Sequence, residues 1–219
     1  MELIILLGVP LAAGLLLALY GHKERAAELN AVMSFLTFVA AAFLTARVIR
    51  DGPMMVWEEN FFIDSFNVFL VALTAFVGFT TSLFSRPYMR NEHHAGKLNP
   101  ARLRLYHSMF QLFMFTMLLA LLTNNMGILW VAMEAATLTT VLLVSLYRTP
   151  ASLEAAWKYF ILCGVGIAQA LFGTILVYLA AEHAIGGGEN ALLWTHLAQA
   201  SELLDPRILA LAFVFLLLG

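Results

Sequence analysis

Six long apolar runs carry almost no charge, and this pattern limits the fold of the chain more than any other feature. A helix needs about 20 predominantly apolar residues to cross a hydrocarbon core of about 30 Å. Backbone groups in lipid must pair within their own segment, and these runs are continuous rather than alternating, so they predict helices and not a barrel. The predicted spans are residues 3–20, 30–49, 62–85, 106–122, 126–146 and 157–181.

The composition supports the same fold class. Of the 219 residues, 62% are hydrophobic and only 12% are charged, about half the charged share of a soluble domain. A soluble fold of this length has too much surface to hide so many apolar side chains, which excludes a soluble enzyme. The formal net charge of −2 offers no basic footprint for nucleic acid. We therefore expect an all-α polytopic membrane protein whose surroundings are the lipid bilayer.

A seventh apolar run begins at Ile208 and stops at Gly219. A helix from Ile208 to Leu218 would be about 16 Å long, which is too short to span a bilayer. We therefore expect six complete transmembrane helices plus a truncated seventh, and a natural protein that continues beyond Gly219.

The basic residues are unequally divided between the two sides of the predicted membrane. Such an excess marks the cytoplasmic side, so the N-terminus is predicted outside and residues 86–104 form a cytoplasmic basic loop. Residues 182–205, which contain three successive glycines, are predicted as a flexible external connector. The richer side carries Lys23, Arg25, Arg86, Arg90, Lys97, Arg102, Arg104 and Arg148, and the other side carries Arg47, Arg50 and Arg207.

The single cysteine, Cys163, lies inside an apolar run. One cysteine cannot supply an internal disulfide, a cysteine-rich zinc site or an iron–sulfur cluster. No haem-attachment motif and no Gly-rich nucleotide motif occurs. We expect no cofactor or metal in this chain, so any redox chemistry would belong to a partner.

Glu134 is the one acidic residue well inside a predicted span. A charge at the bilayer centre costs at least about 2.5–3.5 kcal/mol, and such residues are usually functional or bound to another helix. Thr137 lies three residues on, along the same helix face. Glu134 either takes and releases a proton or, protonated, joins two helices by a hydrogen bond.

Lys158 lies at the cytoplasmic start of the sixth span, with Glu154 four residues before it and Gln169 three turns further up the same face. The line of polar groups predicts either a proton relay or, through the Glu154 pair and the long lysine stem, an anchor at the membrane surface.

His107 and Gln111 are one turn apart near the cytoplasmic end of the fourth span. A histidine titrates near neutral pH and can feed protons inward, but an interfacial histidine has the same pattern. Asp64, at the start of the third span, is interpreted as a helix-terminus carboxylate.

Three motifs resemble a known family: residues 118–125 (LLALLTNN), 130–134 (WVAME) and 154–162 (EAAWKYFIL). They are similar to the antiporter-like membrane subunits shared by respiratory complex I, Mrp-type cation/proton antiporters and membrane-bound hydrogenases. Residues 88–90, 107–122 and 152–178 most resemble the F-type membrane subunits of hydrogenase-4, of the formate hydrogenlyase type.

The resemblance implies a proton-translocating subunit with about fourteen helices in a bacterial inner membrane, beside other membrane subunits and a peripheral redox arm. Residues 1–104 would hold the first three helices and the basic loop, and residues 105–219 the start of the antiporter-like domain. In that family a glutamate on helix five pairs with a lysine on helix seven. Glu134 matches this glutamate and Lys158 a helix-six lysine, while the helix-seven lysine would follow Gly219.

Three alternatives remain open at this point. The coupling ion could be sodium instead of the proton, as in an Mrp-type antiporter subunit. A quinone-binding redox subunit would need a polar headgroup site, for which His107 and Gln111 are the only candidates. A structural anchor without an ion path would leave Glu134 facing lipid.

The charge asymmetry predicts the result of cysteine labelling. With Cys163 replaced by serine, Gly187→Cys should react with a membrane-impermeant thiol reagent added from outside, and Gly96→Cys should react only after the membrane is opened. The reverse pattern would contradict the predicted orientation.

Overall fold

The computed structural model describes residues 1–23 and 25–219, and most of these residues are helical. Two short 3₁₀ turns, Glu189–Leu192 and Ser201–Leu203, flank the shortest helix. The α-helices are α1 Glu2–Tyr20, α2 Ala26–Asp51, α3 Ser65–His94, α4 Pro100–Leu122, α5 Met126–Val144, α6 Pro150–Ile185, α7 Trp194–Gln199 and α8 Pro206–Leu218.

Among the described residues, six helices (α1 to α6) are long and apolar enough to cross a membrane, so the chain is a multi-pass membrane protein. Most are longer than the apolar runs because polar turns extend them at one or both ends. Asp64 caps α3, accepting hydrogen bonds from the amides of Phe66 and Asn67, which confirms its helix-terminus role. The 13 residues of α8 pack along α6.

The loop predicted at residues 86–104 is wrong in its extent. Helix α3 continues to His94 and α4 already begins at Pro100, so Arg86, Arg90, Arg102 and Arg104 all lie on helical turns. The charges are unfavourable in lipid but not in a helix, since arginine is a good helix former. Hydropathy therefore marks where the chain leaves the membrane, not where the helix ends.

A two-stranded hairpin, absent from the all-α prediction, connects α2 and α3. Strand β1 (Met54–Val56) pairs antiparallel with β2 (Phe61–Ile63), so Phe62 is in a strand and not, as predicted, at the start of a helix. Trp57, Glu58 and Glu59 in its turn all have positive φ angles, between 52° and 68°. Three successive non-glycine residues in this region are strained, so other contacts must stabilise the turn.

The first four long helices form a bundle, and α5, α6 and α8 continue from it as a row. In the bundle α1 packs on α2 and α4, and α3 packs on α2 and α4; α5 lies between α4 and α6. Close approach depends on small residues, as is usual for helices in membranes. A Cβ on Gly173 of α6 would lie 3.0 Å from the carbonyl oxygen of Ala212 in α8.

Asn124 joins three segments on one side of the bundle. Its amide donates to the Asn60 carbonyl at 2.7 Å, and its side-chain Nδ2 donates to the Glu59 carbonyl at 2.9 Å and to the Thr195 hydroxyl at 2.8 Å. Its carbonyl accepts from the Trp194 amide at 2.7 Å. The strained hairpin turn is thereby held against the α4–α5 turn.

The predicted flexible connector at residues 182–205 is wrong for most of its length. Helix α6 extends to Ile185, and the following residues form two 3₁₀ turns and α7. Ala191, Leu193 and Leu197 are buried, and Asn124 binds the start of α7. The three glycines mark only the turn out of α6, where Gly186 and Gly188 have positive φ angles.

Replacing Asn124 should destabilise this side of the protein. Asn124→Ala removes three side-chain hydrogen bonds, one of them to the strained turn, so we expect the free energy of unfolding to fall by about 1–3 kcal/mol. The measurement is the thermal melting of the purified protein in detergent. Asn190→Ala is the control, because the exposed Asn190 side chain makes no hydrogen bond within residues 1–23 and 25–219. An equal effect of both changes would contradict the joining role.

Candidate functional site

Glu134 lies near the middle of α5, eight residues after the helix begins at Met126. The helix starts where Asn125 accepts hydrogen bonds from the amides of Gly127 and Ile128, which fixes its first turn. The Glu134 side chain is half-buried. Among residues 1–23 and 25–219 no hydrogen bond or ion pair reaches its carboxylate.

Two hydrogen bonds hold α5 against α6, one on each side of Glu134. The Trp130 indole donates to the Ile167 carbonyl at 2.8 Å, and the Thr140 hydroxyl lies 2.9 Å from the Tyr159 hydroxyl. Since the helices are antiparallel, these contacts place Glu134 about level with residue 164 of α6. The carboxyl group is therefore fixed in height relative to α6, although none of the described side chains binds the carboxylate itself.

Thr137 shares the helix face of Glu134 but does not bind it. Its hydroxyl donates to the Met133 carbonyl in the preceding turn, at 3.1 Å. Such back-bonding satisfies the hydroxyl within its own helix. A hydrogen bond from Thr137 to the carboxylate would require the hydroxyl to rotate away from Met133.

Lys158 and Glu134 are not brought together. The Lys158 ammonium donates to Glu154, four residues earlier on the same helix, at 2.5 Å, and both side chains are well exposed. Residue 158 lies six positions, or about 9 Å, below the level of Glu134. Gln169 lies five positions above that level and is half-buried. The predicted polar line therefore exists along α6, but its members do not touch Glu134.

His107 and Gln111 are both buried between helices. Their residues are 3% and 0% exposed. Gln111 Nε2 donates to the carbonyl and side-chain oxygens of Asn30, at 3.1 and 2.8 Å, and to the Ser34 hydroxyl at 2.9 Å. This amide already binds α2, so it joins helices, and Nδ1 of His107, one turn away, has no partner among the described residues.

The α2 half of this polar cluster was missed in the sequence. Asn30, Ser34 and Thr37 recur at the spacing of one helix face and are all buried. Polar residues at positions i, i+4 and i+7 of an apolar helix indicate a buried helix contact. The spacing of these three uncharged polar residues was therefore the signal in the sequence for this contact.

The predicted resemblance is confirmed by comparison with known proteins, although no protein-family model matches the chain. A hydrogenase-4 component F homologue of Methylacidiphilum infernorum is 46% identical over 210 residues, covering 96% of this chain and 43% of the relative. NADH-quinone oxidoreductase subunit L of Neisseria meningitidis is 28% identical over 78% of this chain and 28% of its own length. A Na⁺/H⁺ antiporter subunit A1 of Staphylococcus haemolyticus is 27% identical, covering 76% of this chain and 19% of the relative.

A solved structure has the same fold. The chain superimposes over its whole length on 44% of a chain from the membrane-bound sulfane sulfur reductase, an archaeal respiratory membrane complex, with a TM-score of 0.83 and 20% identity. The chain thus spans less than half the length of the relatives it matches. The arrangement of α1 to α8 is that of one part of a larger membrane subunit.

Gln111 provides a test of the buried polar cluster. Gln111→Leu leaves Asn30 and Ser34 without their shared donor, so we expect a loss of about 1–2 kcal/mol in the free energy of unfolding. Thermal melting in detergent measures it, with the exposed Gln199→Leu as control. An unchanged melting temperature for Gln111→Leu would mean that the cluster does not stabilise the bundle.

Proposed function

The chain belongs to the antiporter-like membrane subunits of respiratory complexes, and on that premise we propose that it translocates protons as a subunit of a hydrogenase-4 or formate hydrogenlyase-like complex. Glu134 carries the proposal, since it is a half-buried carboxyl group in mid-helix that no described side chain neutralises. An acid held at a fixed height between two interhelical hydrogen bonds has the position a proton carrier needs.

The proposed mechanism is electrostatic. A carboxylate beside a cation favours its charged form, and a carboxylate left alone in a low-dielectric site is costly and takes up a proton. Glu134 would alternate between these states as a lysine, placed beyond Gly219 by the family resemblance, approaches and withdraws. Redox reactions in a partner would drive the lysine, so this chain itself needs no cofactor.

Four residues have supporting roles in this proposal: Lys158, Gln169, Thr137 and His107. Lys158 is paired with Glu154 in the present conformation, and it can join the axis only when that exposed pair opens. Exposed pairs of this kind contribute about 0.3–0.5 kcal/mol, so opening costs little. Thr137 can turn its hydroxyl from Met133 to Glu134.

The surroundings of the subunit follow from the same premise. Trp157, Ile161, Leu162 and Val165 of α6 are more than half exposed, and such an apolar face suits further helices or lipid. We propose that it packs within a fold of about fourteen helices, with residues 105–219 beginning the translocation domain. The complex would lie in the bacterial inner membrane with the N-terminus outside, beside membrane partners and a peripheral redox arm.

Sodium is the second candidate for the transported ion. The likeness to a Na⁺/H⁺ antiporter subunit over 76% of this chain favours it. The two ions are distinguished by measuring transport with and without sodium in vesicles. A rate that depends on sodium at constant pH would support the sodium alternative.

Glu134→Gln should fold and assemble but lose most proton translocation. Glutamine keeps the shape and hydrogen bonding of the side chain but cannot carry a proton. The measurement is proton pumping by the full-length protein in its complex, reconstituted in vesicles, with assembly checked on a native gel. Lys158→Ala should have a smaller effect because its position at the helix start also suits an anchor.

Glu202→Gln is the matched control, since it changes an exposed carboxyl group outside the six long helices. It should pump at the normal rate. Full pumping by Glu134→Gln in an assembled complex would reduce Glu134 to a residue that joins helices. If Glu134→Gln does not assemble, Glu134→Asp, which keeps the acid, should restore both assembly and partial pumping, and its failure to pump would count against the carrier.

A further inference from the structure

A basic pocket of about 810 Å³ lies where the ends of α1 and α3 meet the starts of α2 and α4. It is separate from the α5–α6 site. Of the residues given a role in proton translocation, His107 alone is among those that line it. Among the described residues, its walls carry four cationic side chains and one carboxylate, with histidines between them. These cations are Lys23, Arg25, Arg86 and Arg90, the carboxylate is Glu28, and the histidines are His22, His93, His94 and His107.

The cations are only partly neutralised within the protein. Glu28 Oε1 accepts from Arg90 at 2.6 Å and lies 4.0 Å from Arg86. In the part of the chain that the structure describes, no ion pair reaches Arg25, and Lys23 lies 4.8 Å above the centre of the Tyr20 ring. The described residues of the pocket therefore carry a positive excess that an anion can satisfy.

Two buried polar atoms of the pocket, His107 Nδ1 and Glu28 Oε2, have no hydrogen bond among the described residues. His107 is 3% exposed, and its Nδ1 is the one of the two that can donate. A buried unpaired nitrogen costs free energy unless a ligand or water satisfies it. With its proton on Nδ1, the buried imidazole of His107 offers a rigid hydrogen-bond donor among the cationic side chains of the pocket. Such a donor suits a phosphate oxygen.

The place of the pocket indicates the source of the phosphate. It lies at the ends of membrane-spanning helices, on the side of the bundle that carries the basic excess. Ala27, Met89 and Leu103 give part of its wall an apolar surface, and the exposed Tyr20 beside it is typical of the interface between bilayer and water. Basic pockets between transmembrane helices at this level bind the headgroups of anionic lipids.

We propose that this pocket binds the phosphate headgroup of an anionic phospholipid. Arg25, Arg86 and Lys23 surround the phosphate, and His107 donates to it from below. Glu28 limits the affinity by holding Arg90 away from the ligand. The bound lipid fixes the ends of the four-helix bundle.

The experiment measures retained lipid on the full-length protein by native mass spectrometry, in detergent titrated with phosphatidylglycerol or phosphatidylcholine. Arg25→Gln should weaken phosphatidylglycerol binding about fivefold, the effect of losing one basic contact. Glu28→Gln should strengthen it by releasing Arg90. Lys97→Gln is the control, because it removes a charge from the same side outside the pocket, where Lys97 is bound to Glu92.

Three results would overturn the proposal. Equal weakening by Arg25→Gln and Lys97→Gln would indicate a diffuse surface charge and no site. Displacement of the lipid by an equal concentration of inorganic phosphate would indicate a site for the free anion. Loss of lipid binding when partner subunits assemble would indicate that an acidic protein segment fills the pocket. If Glu28→Gln does not fold, the comparison of Arg25→Gln with Lys97→Gln still decides.

Discussion

The requirement that every backbone amide in hydrocarbon pair within its own helix determines most of this structure. It makes the six long helices obligatory but does not choose their neighbours, since lipid is as apolar as leucine. The choice comes from small residues such as Gly173, which admits the backbone of α8, and from polar groups that bind across helices. Outside the hydrocarbon the backbone can pair between segments, and there Asn124 joins the hairpin to α7.

Polar side chains inside the bundle fall into two kinds. Gln111 is fully buried and is bound to two residues of α2, so it stabilises one arrangement of helices. Glu134 is half-buried, and its carboxylate has no hydrogen bond or ion pair among the described residues, so no such contact of Glu134 stabilises the fold. An ionisable residue inside a membrane is costly, so one that makes no stabilising contact is a candidate for function, as Glu134 is. Gln111, by contrast, is explained by the helices that it joins.

The sequence predicted the helices well because hydrophobicity and length determine a span directly. It did not predict the ends of α3 and α4, because arginine is accepted in a helix outside lipid. The hairpin at residues 54–63 was hidden because its strands are only three residues long and depend on Asn124, a distant partner. Within the site, Glu134 stood out by its charge, whereas the pairing of Lys158 with Glu154 in this conformation and the burial of His107 depend on packing that no local pattern encodes.

The paired contacts between α5 and α6 also restrict which movements remain available. Trp130 donates to a carbonyl of α6, and Thr140, between two and three turns further along, contacts Tyr159. If α5 slid along α6, both contacts would break together. The two contacts therefore oppose sliding between these helices. Any change in the distance between Glu134 and a cation must then come from side-chain rotation or from a helix outside the pair. In the proposed mechanism α5 and α6 would therefore stay fixed relative to each other while another element moves.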